Sequence, residues 1–200
     1  MMLPEFFRHI DVHTHVLRPD HPAIVCVTPW QSVDLDDCHG DGNVDLDDCQ
    51  AGGNVAGYSV GIHPWEADKA DGEAWAALER MAAHPRVVAI GEAGLDTRHQ
   101  GAPDMAVQEA VFCRQARLAE QLDKPLIIHC VGAYNRLIEL KRALRPAVPW
   151  IVHGFRGKPQ LAADLAKHGF YISLGTKHNP AVPAAVPADR LLHETDAVDA

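Results

Sequence analysis

The sequence predicts an α/β fold, a (β/α)₈ barrel reduced by several short or missing helices. Short apolar runs, several of them rich in Val and Ile and bounded by Pro or Gly, recur along the chain and are typical of buried strands. Helical patterns lie between several of these runs, and strands that alternate with helices form a parallel sheet. Eight such runs match the strand number of this barrel, although 200 residues is at the short end of its range.

The predicted elements follow one another along the whole chain. The strands cover 9–15, 23–29, 57–64, 86–95, 125–130, 150–155, 170–175 and 190–196. The helices cover 71–84, 104–123, 133–145 and 158–168, with Asp71 and Asp104 at N-cap positions. Helices after strands 1, 2 and 8 are predicted to be absent or stunted. We therefore expect residues 1–200 to form a single barrel domain.

Composition narrows the class of protein. The chain is 47% hydrophobic and 22% charged, which is ordinary for a globular protein. It has neither an apolar run of membrane-spanning length nor a secretory signal, so we expect a cytoplasmic protein without a membrane partner. Five scattered cysteines do not form a disulfide framework. The net charge of −9 argues against a general nucleic-acid coat protein, but an enzyme that binds phosphate through metal ions remains compatible with it.

Ionisable side chains collect where the predicted strands end. In a parallel barrel the catalytic groups project from the carboxyl ends of the strands. The residues at these positions are His13, His15, His63, Glu92, His129, His153 and Asp196. Because side chains alternate along a strand, His13 and His15 should point inward together, with Val12 and Thr14 facing the outer helices.

These residue types suit divalent metal ions. Imidazole and carboxylate together favour zinc or manganese, and carboxylates with water also admit magnesium. Any one of the histidines taken alone is more often an ordinary polar residue. A shared site accounts for six of the residues at once, and six ligands suit two neighbouring ions that activate water. We therefore favour a metal centre over separate polar contacts.

Six motifs resemble one known family and occur in its order. They are "DVHTH" (11–15), "GIHPW" (61–65), "GEAGLD" (91–96), "PLIIHC" (125–130), "HGFRG" (153–157) and "ETDA" (194–197). In these motifs the chain is similar to compact members of the TatD-type metal-dependent hydrolases. The resemblance implies a (β/α)₈ barrel of the amidohydrolase class and deoxyribonuclease activity.

The resemblance also implies a role for each matching residue. The implied ligands of two divalent ions (Mg, Mn or Zn) are His13, His15, Glu92, His129, His153 and Asp196. Glu92 would bridge the ions, Asp196 would hold or deprotonate the attacking water, and His63 would donate to the scissile phosphate. Position alone suggests roles for four further residues. Arg98 and Arg156 lie in loops beyond strands 4 and 6, where they would meet substrate phosphates or lie in solvent. Asp11 and Glu194 share strand faces with the candidate ligands, so they would orient imidazoles or water, or make structural ion pairs.

The implied substrate is DNA, with RNA as a further candidate. We expect a monomer or a weak homo-oligomer. A first alternative is another amidohydrolase-type reaction, the opening of a lactone or cyclic amide by the same ligands. The central strand ends carry no lysine that could bridge metals after carboxylation, which favours the nuclease. A second alternative is a non-catalytic metal-binding barrel.

The segment 31–54 departs from the family pattern. "VDLDDC" occurs at 33–38 and again at 44–49, in an acidic stretch that we interpret as an insertion after strand 2. Asp37, His39, Asp41, Gly42, Asp45 and Asp48 have the spacing of a calcium loop. His39 stands where an Asp or Asn oxygen is preferred, and Asp48 replaces the usual bidentate Glu. We therefore favour a solvated acidic loop over calcium binding.

The carboxyl-terminal end is the second departure. Members of the family continue beyond the last motif with a further loop and helix, whereas four residues follow Asp196 in this sequence. The outer side of strands 8 and 1 is then expected to be covered by the N-terminal "LPEFF" segment, by another subunit or by solvent.

Overall fold

The computed structural model describes residues 2–16, 22–33, 35 and 55–197, and its strands form one parallel sheet of eight. Each strand pairs with the next one in sequence. The strands are β1 (Asp11–Thr14), β2 (Ala23–Val27), β3 (Val55–Val60), β4 (Val87–Asp96), β5 (Leu126–Val131), β6 (Trp150–Val152), β7 (Phe170–Leu174) and β8 (Leu191–His193). The predicted barrel and all eight predicted strands are confirmed.

Backbone hydrogen bonds bring the last strand to the first. The Asp196 N–H donates to the carbonyl of His13 over 3.1 Å, and the His15 N–H donates to the carbonyl of Ala197 over 2.9 Å. The sheet is therefore nearly closed into a barrel. The same bonds place the residues that follow β8 directly beside the end of β1.

The four predicted helices are present, and each begins one residue later than predicted. They are α1 (Gly72–Ala82), α2 (Met105–Gln121), α3 (Tyr134–Leu144) and α4 (Pro159–Lys167). The Asp71 side chain caps α1 by accepting the Ala74 N–H. Asp104 occupies the N-cap of α2 without a side-chain cap bond. None of the helices in the described part of the chain is long and apolar enough to cross a membrane.

The connection from β7 to β8 contains two short 3₁₀ turns, Pro183–Ala185 and Ala188–Arg190. Three prolines lie in this connection, at positions 180, 183 and 187. Proline has no backbone N–H and breaks a helix interior, which explains why the described residues between β7 and β8 form 3₁₀ turns and no α-helix.

The N-terminal segment closes the end of the barrel opposite the predicted site. Leu3 and Phe7 are buried, and they pack with Val12, Ile127 and Ile151 in one apolar cluster. The two isoleucines lie two residues before His129 and His153, so they face the barrel interior below the predicted site. The "LPEFF" segment therefore packs against the interior of the barrel, instead of covering the outer side of β8 and β1.

Val12 corrects one expectation. It belongs to this interior cluster and does not face the outer helices. The pairing of β1 with β2 shifts register between Asp11 and Thr14, and such an irregularity breaks strict alternation of side chains. His13 is also fully buried, although it directly follows Val12.

Six strands end earlier than predicted, namely β1, β2, β3, β6, β7 and β8. β6 ends at Val152 and β8 at His193, so His153 and Asp196 lie in the segments just beyond their strands. Gly154 and Asp196 both have positive φ, at 57° and 49°, and the chain turns there. Candidate ligands are thus held partly by turns and not by strand pairing alone.

The proposed calcium loop lies outside the described residues. This applies to Asp37, His39, Asp41, Gly42, Asp45 and Asp48, and to the cysteines at 38 and 49.

Candidate metal centre

Five histidines surround the carboxylate of Glu92. Its Oε2 lies 3.3 Å from His13 Nε2 and 3.7 Å from His15 Nε2. Its Oε1 lies 3.3 Å from His63 Nε2, 2.9 Å from His129 Nδ1 and 2.6 Å from His153 Nε2. The structure therefore brings together all five histidines that the sequence placed at strand ends, and each carboxylate oxygen faces its own group of imidazoles.

Glu92 reaches this position through an irregularity in β4. Ala89 packs in the interior cluster and Ile90 in the outer one, so regular alternation would turn Glu92 outward. The register of β4 against β5 shifts between Ile90 and Ala93. This shift allows Glu92 to face the barrel interior, although strict alternation would turn it outward. Glu92 is buried there.

Gly94 allows β4 and β5 to approach closely beside the site. A Cβ atom at this position would overlap the carbonyl oxygen of His129. Gly94, the second glycine of "GEAGLD", is therefore required by the backbone contact that holds Glu92 and His129 side by side.

Asp196 lies near the same ring nitrogen of His13 as Glu92 does. Its Oδ1 lies 3.9 Å from His13 Nε2, and its Oδ2 lies 3.7 Å from the Arg156 guanidinium. Its side chain is 27% exposed, whereas the His13 side chain is fully buried. Asp196 thus combines contact with the buried cluster and access to solvent.

Among the residues that the structure describes, three combinations of side chains bring potential ligand atoms within 4.8 Å of one another. They are His63, Glu92 and His129; His13, His153 and Asp196; and His13, Cys26 and Glu92. His15 belongs to none of them, but its Nε2 faces Glu92 Oε2 from a partly exposed position.

The buried donors fit a divalent cation. Within the described part of the chain, neither ring nitrogen of His13 makes a hydrogen bond, and His153 Nδ1 also lacks one. A buried polar atom without a partner is costly, and native structures rarely leave one unsatisfied. An ion between His13 and its carboxylate neighbours would satisfy such a nitrogen. The mixture of imidazole and carboxylate donors is also the one that zinc and manganese accept.

The charges around Glu92 also favour binding of a divalent cation. Burial would raise the pKa of Glu92, but the imidazoles of His153, His129 and His13 outweigh it and hold the pKa well below its usual value. Burial would lower the pKa of His153, but the carboxylates of Glu92 and Glu194 outweigh it and hold the pKa well above its usual value. The carboxylate is therefore ionised, and an arriving cation would displace protons from the histidines.

Cys26 is a candidate ligand that the sequence analysis missed. Its sulfur lies near His13 and Glu92 and 3.8 Å from the carbonyl oxygen of Gly91, to which the thiol donates. Burial, and then the charge of Glu92, raise the pKa of this thiol to about 12. A metal ion would have to displace this proton before the sulfur could bind it. In the absence of an ion, Cys26 packs in the core beside the site.

Asp96 is the second residue that the sequence analysis missed. It ends the "GEAGLD" motif, and its Oδ2 lies 3.1 Å from His129 Nε2 and 2.9 Å from the Trp65 indole nitrogen, which donates to it. Its Oδ1 accepts the backbone N–H groups of Arg98 and His99. Burial would raise the pKa of Asp96, but these donors lower it to about 2. An ionised Asp96 accepts the Nε2 proton of His129, which leaves Nδ1 free to face Glu92 as a ligand.

His63 is oriented as a hydrogen-bond donor. Its Nδ1 accepts the backbone N–H of Trp65 over 3.2 Å. In the neutral ring the proton is then on Nε2, which faces Glu92. This tautomer suits donation to a substrate oxygen better than metal ligation.

The two acidic residues considered as supports behave differently. Asp11 accepts the N–H groups of His13 and Thr195, and it also accepts the Thr195 hydroxyl, so it ties β1 to the segment after β8. Glu194 accepts the Gly154 N–H and lies 3.6 Å from His153 Nδ1. Glu194 is therefore placed to orient an imidazole, whereas Asp11 fixes the backbone.

Basic side chains lie in the loops after β4, β6 and β7. Arg98 is exposed in the loop after β4, and its side chain lies near Gly132, which follows β5. A Cβ atom built on Gly132 would be 3.4 Å from the Cγ and Nε of Arg98. Arg156 lines a cavity of about 110 Å³ together with Lys177, His178 and Asp196. The sequence analysis did not single out Lys177 and His178, because only the fold brings the loop after β7 beside Asp196.

Comparison with known proteins places the chain in a family. The model of the TatD related DNase family matches residues 42–198. The chain is 37% identical over 150 residues to the 3'-5' ssDNA/RNA exonuclease TatD of Cronobacter turicensis, which covers 70% of this chain and 56% of that protein. It is 36% identical over 146 residues to the uncharacterized metal-dependent hydrolase YabD of Bacillus subtilis, covering 69% of this chain and 57% of that protein.

A solved structure supports the same fold. The crystal structure of a hydrolase TatD family protein from Entamoeba histolytica superposes with a TM-score of 0.68 at 19% identity, and the match covers 94% of this chain and 73% of that one. The aligned part of the chain spans a little over half the length of the two relatives by sequence. The extent of the family match and the level of sequence identity together show that the chain belongs to the family of TatD related DNases.

Proposed function

We propose that this protein hydrolyses phosphodiester bonds in single-stranded nucleic acid with the help of two divalent metal ions. The observation that carries the proposal is the division of imidazoles between the two oxygens of Glu92. His13 and His15 face Oε2, while His129 and His153 face Oε1. A carboxylate with ligands on both sides suits a bridging position between two ions. The name of the exonuclease relative supports the choice of substrate.

In this proposal His13, His15, Glu92 and Asp196 would hold one ion, and Glu92, His129 and His153 would hold the other. Bound ions of this kind activate water and offset negative charge on phosphate oxygens. Magnesium, manganese and zinc all remain compatible with the donor set.

The side chains of the protein supply the remaining steps. Asp196, partly exposed beside His13, holds the attacking water and accepts its proton. His63 donates from Nε2 to an oxygen of the scissile phosphate, where negative charge increases in the transition state. Arg156 and the neighbouring Lys177 attract the phosphate backbone at the cavity beside Asp196.

The central test is the variant Glu92→Gln in an assay of single-stranded DNA and RNA cleavage. The wild-type protein should cleave with added Mg²⁺, Mn²⁺ or Zn²⁺ and lose activity with chelator. Glu92→Gln should lower cleavage at least about 1,000-fold, because the neutral amide cannot hold two cations. Glu73→Gln, an exposed residue in the first turn of α1, is the matched control and should cleave like wild type.

The outcomes also separate the alternatives. Full activity of a folded Glu92→Gln protein would contradict the proposed centre. A wild-type protein that binds metal but cleaves neither DNA nor RNA would be tested on lactones and cyclic amides. Turnover of either would assign the other amidohydrolase-type reaction, and no turnover of any substrate would assign a non-catalytic metal-binding barrel.

A further inference from the structure

An exposed aromatic pair lies at the edge of the metal centre. The Trp65 indole is 41% exposed, and it is stacked on the imidazole of His99 with ring centroids 3.7 Å apart and planes inclined by 15°. Trp65 belongs to the 3₁₀ turn after β3, and His99 to the loop after β4. Both rings therefore lie at the carboxyl end of the barrel, the end that carries the metal centre.

The pair is held in place by the carboxylate that supports a candidate ligand. The Trp65 Nε1–H donates to Asp96 Oδ2, and the His99 backbone N–H donates to Asp96 Oδ1. The same Oδ2 lies 3.1 Å from His129 Nε2. The aromatic pair is thus fixed relative to the cluster before any substrate arrives, which reduces the entropy lost on binding.

The pair is also close to the reacting region. The Trp65 ring centroid lies 4.5 Å from that of His63 and 5.8 Å from that of His129. Arg98 directly precedes His99 in sequence and is exposed, so a cation for a substrate phosphate lies in the same loop as the pair. A flat aromatic surface next to a cation is the combination that binds single-stranded nucleic acids.

We propose that the Trp65–His99 stack is the binding platform for one nucleobase of the substrate strand, next to the phosphodiester that is cleaved. This rests on the proposed nuclease function and adds the part that recognises a base. Stacking tolerates every base, so the platform positions the strand without selecting a sequence. Trp65 and His99 then act as positioning residues, and neither contacts the reacting atoms.

The test uses short oligothymidylates in which one nucleotide at a time is replaced by an abasic analogue. For the wild-type protein, removal of the base that occupies the platform should lower kcat/KM about 5- to 100-fold at one position, the range expected for one stacked base. Trp65→Leu and His99→Ala should lose a similar factor on the unmodified strand. On the strand that is abasic at that position they should lose little more, because the interaction is already absent.

Two variants separate stacking from structural support. Trp65→Phe keeps an aromatic ring but loses the Nε1–H bond to Asp96, so it should keep the preference for the base at that position. His168→Ala, on the C-cap of α4 at the far end of the barrel, is the control for His99→Ala and should behave like wild type. Equal losses for Trp65→Leu on the intact and the abasic strands would overturn the platform, because the indole would then act only through Asp96.

A binding measurement distinguishes this proposal from the proposed function. Fluorescence anisotropy of labelled oligothymidylate is measured with metal-free protein, where no cleavage occurs. Weaker binding of the abasic strand by wild type, and equal binding of both strands by Trp65→Leu, would support the platform even if no nuclease activity were found. Equal binding of both strands by the wild-type protein, together with cleavage that shows no abasic position effect, would overturn it while leaving the nuclease function intact.

Discussion

Asp96 and His129 form a carboxylate–imidazole pair at the rim of the metal centre, with Asp96 Oδ2 3.1 Å from His129 Nε2. The other nitrogen of the ring, Nδ1, lies 2.9 Å from Glu92 Oε1. Asp96 thus fixes the tautomer and orientation of the imidazole. Glu92 faces Nδ1, the ring nitrogen that is left to bind a metal ion. Such supporting carboxylates commonly raise the basicity of a ligating histidine and strengthen metal binding.

The variant Asp96→Asn is expected to weaken metal binding about 10- to 100-fold, because an amide oxygen is a poorer acceptor for the His129 proton. The measurement is competition of the protein with a chelator of known affinity for Zn²⁺ or Mn²⁺. Asp189→Asn, in the exposed turn Ala188–Arg190 before β8, is the matched control and should bind metal like wild type. Unchanged affinity in a folded Asp96→Asn protein would mean that His129 does not depend on this contact.

The close approach of β4 and β5 makes a second prediction, Gly94→Ala. The added Cβ would overlap the His129 carbonyl oxygen, which is a backbone atom and cannot rotate away. We expect a loss of about 2 kcal/mol or more in the free energy of unfolding, because overpacking of this kind forces the backbone to shift. Urea unfolding followed by circular dichroism measures the loss, and a protein that no longer folds would satisfy the expectation.

Gly72→Ala is the comparison for this variant. Gly72 begins α1, and no atom lies within 4 Å of a Cβ built there. Its free energy of unfolding should stay equal or rise by up to about 1 kcal/mol, since alanine loses less backbone entropy than glycine on folding. A Gly94→Ala protein with the urea midpoint of Gly72→Ala would contradict the steric argument.

The sequence was sufficient for the architecture and for most of the candidate centre. Strand-length apolar runs identified all eight strands, and histidines at their ends converge on Glu92 as expected. This succeeded because the direction of parallel strands sets which end of every strand meets the others. Such an inference needs only approximate strand boundaries.

The errors and omissions have local physical causes. Val12 faces the interior because β1 shifts register against β2, and periodicity along one strand cannot reveal such a shift. Asp96 and Cys26 were missed because their partners come from other strands. Lys177 and His178 reach the cavity beside Asp196 through a turn after β7, whose conformation no simple pattern specifies.

The last prediction concerns Lys141, a half-buried cation on α3 away from the site. Its Nζ lies 5.1 Å from the ring centroid of Trp150 and 4.6 Å from that of Phe170. Burial, and then repulsion by Arg190, lower the pKa of Lys141 to about 8. The folded protein therefore holds this proton less tightly than the unfolded chain. Lys141 lowers the free energy of unfolding by its full amount below about pH 8, and it has no effect above its unfolded pKa of about 10.4.

Lys141→Met should consequently stabilise the protein at pH 7, by about 1–2 kcal/mol after the loss of the cation–π contacts is subtracted. This difference in the free energy of unfolding should decrease as the pH rises from about 8 to 10.4, because Lys141 of the wild-type protein is then deprotonated and no longer destabilises the fold. Urea unfolding at a series of pH values measures it, with the exposed Lys167→Met on α4 as the control that should stay within about 0.5 kcal/mol of wild type. A stabilisation that does not vary with pH would assign the gain to apolar packing of methionine and contradict the titration of Lys141.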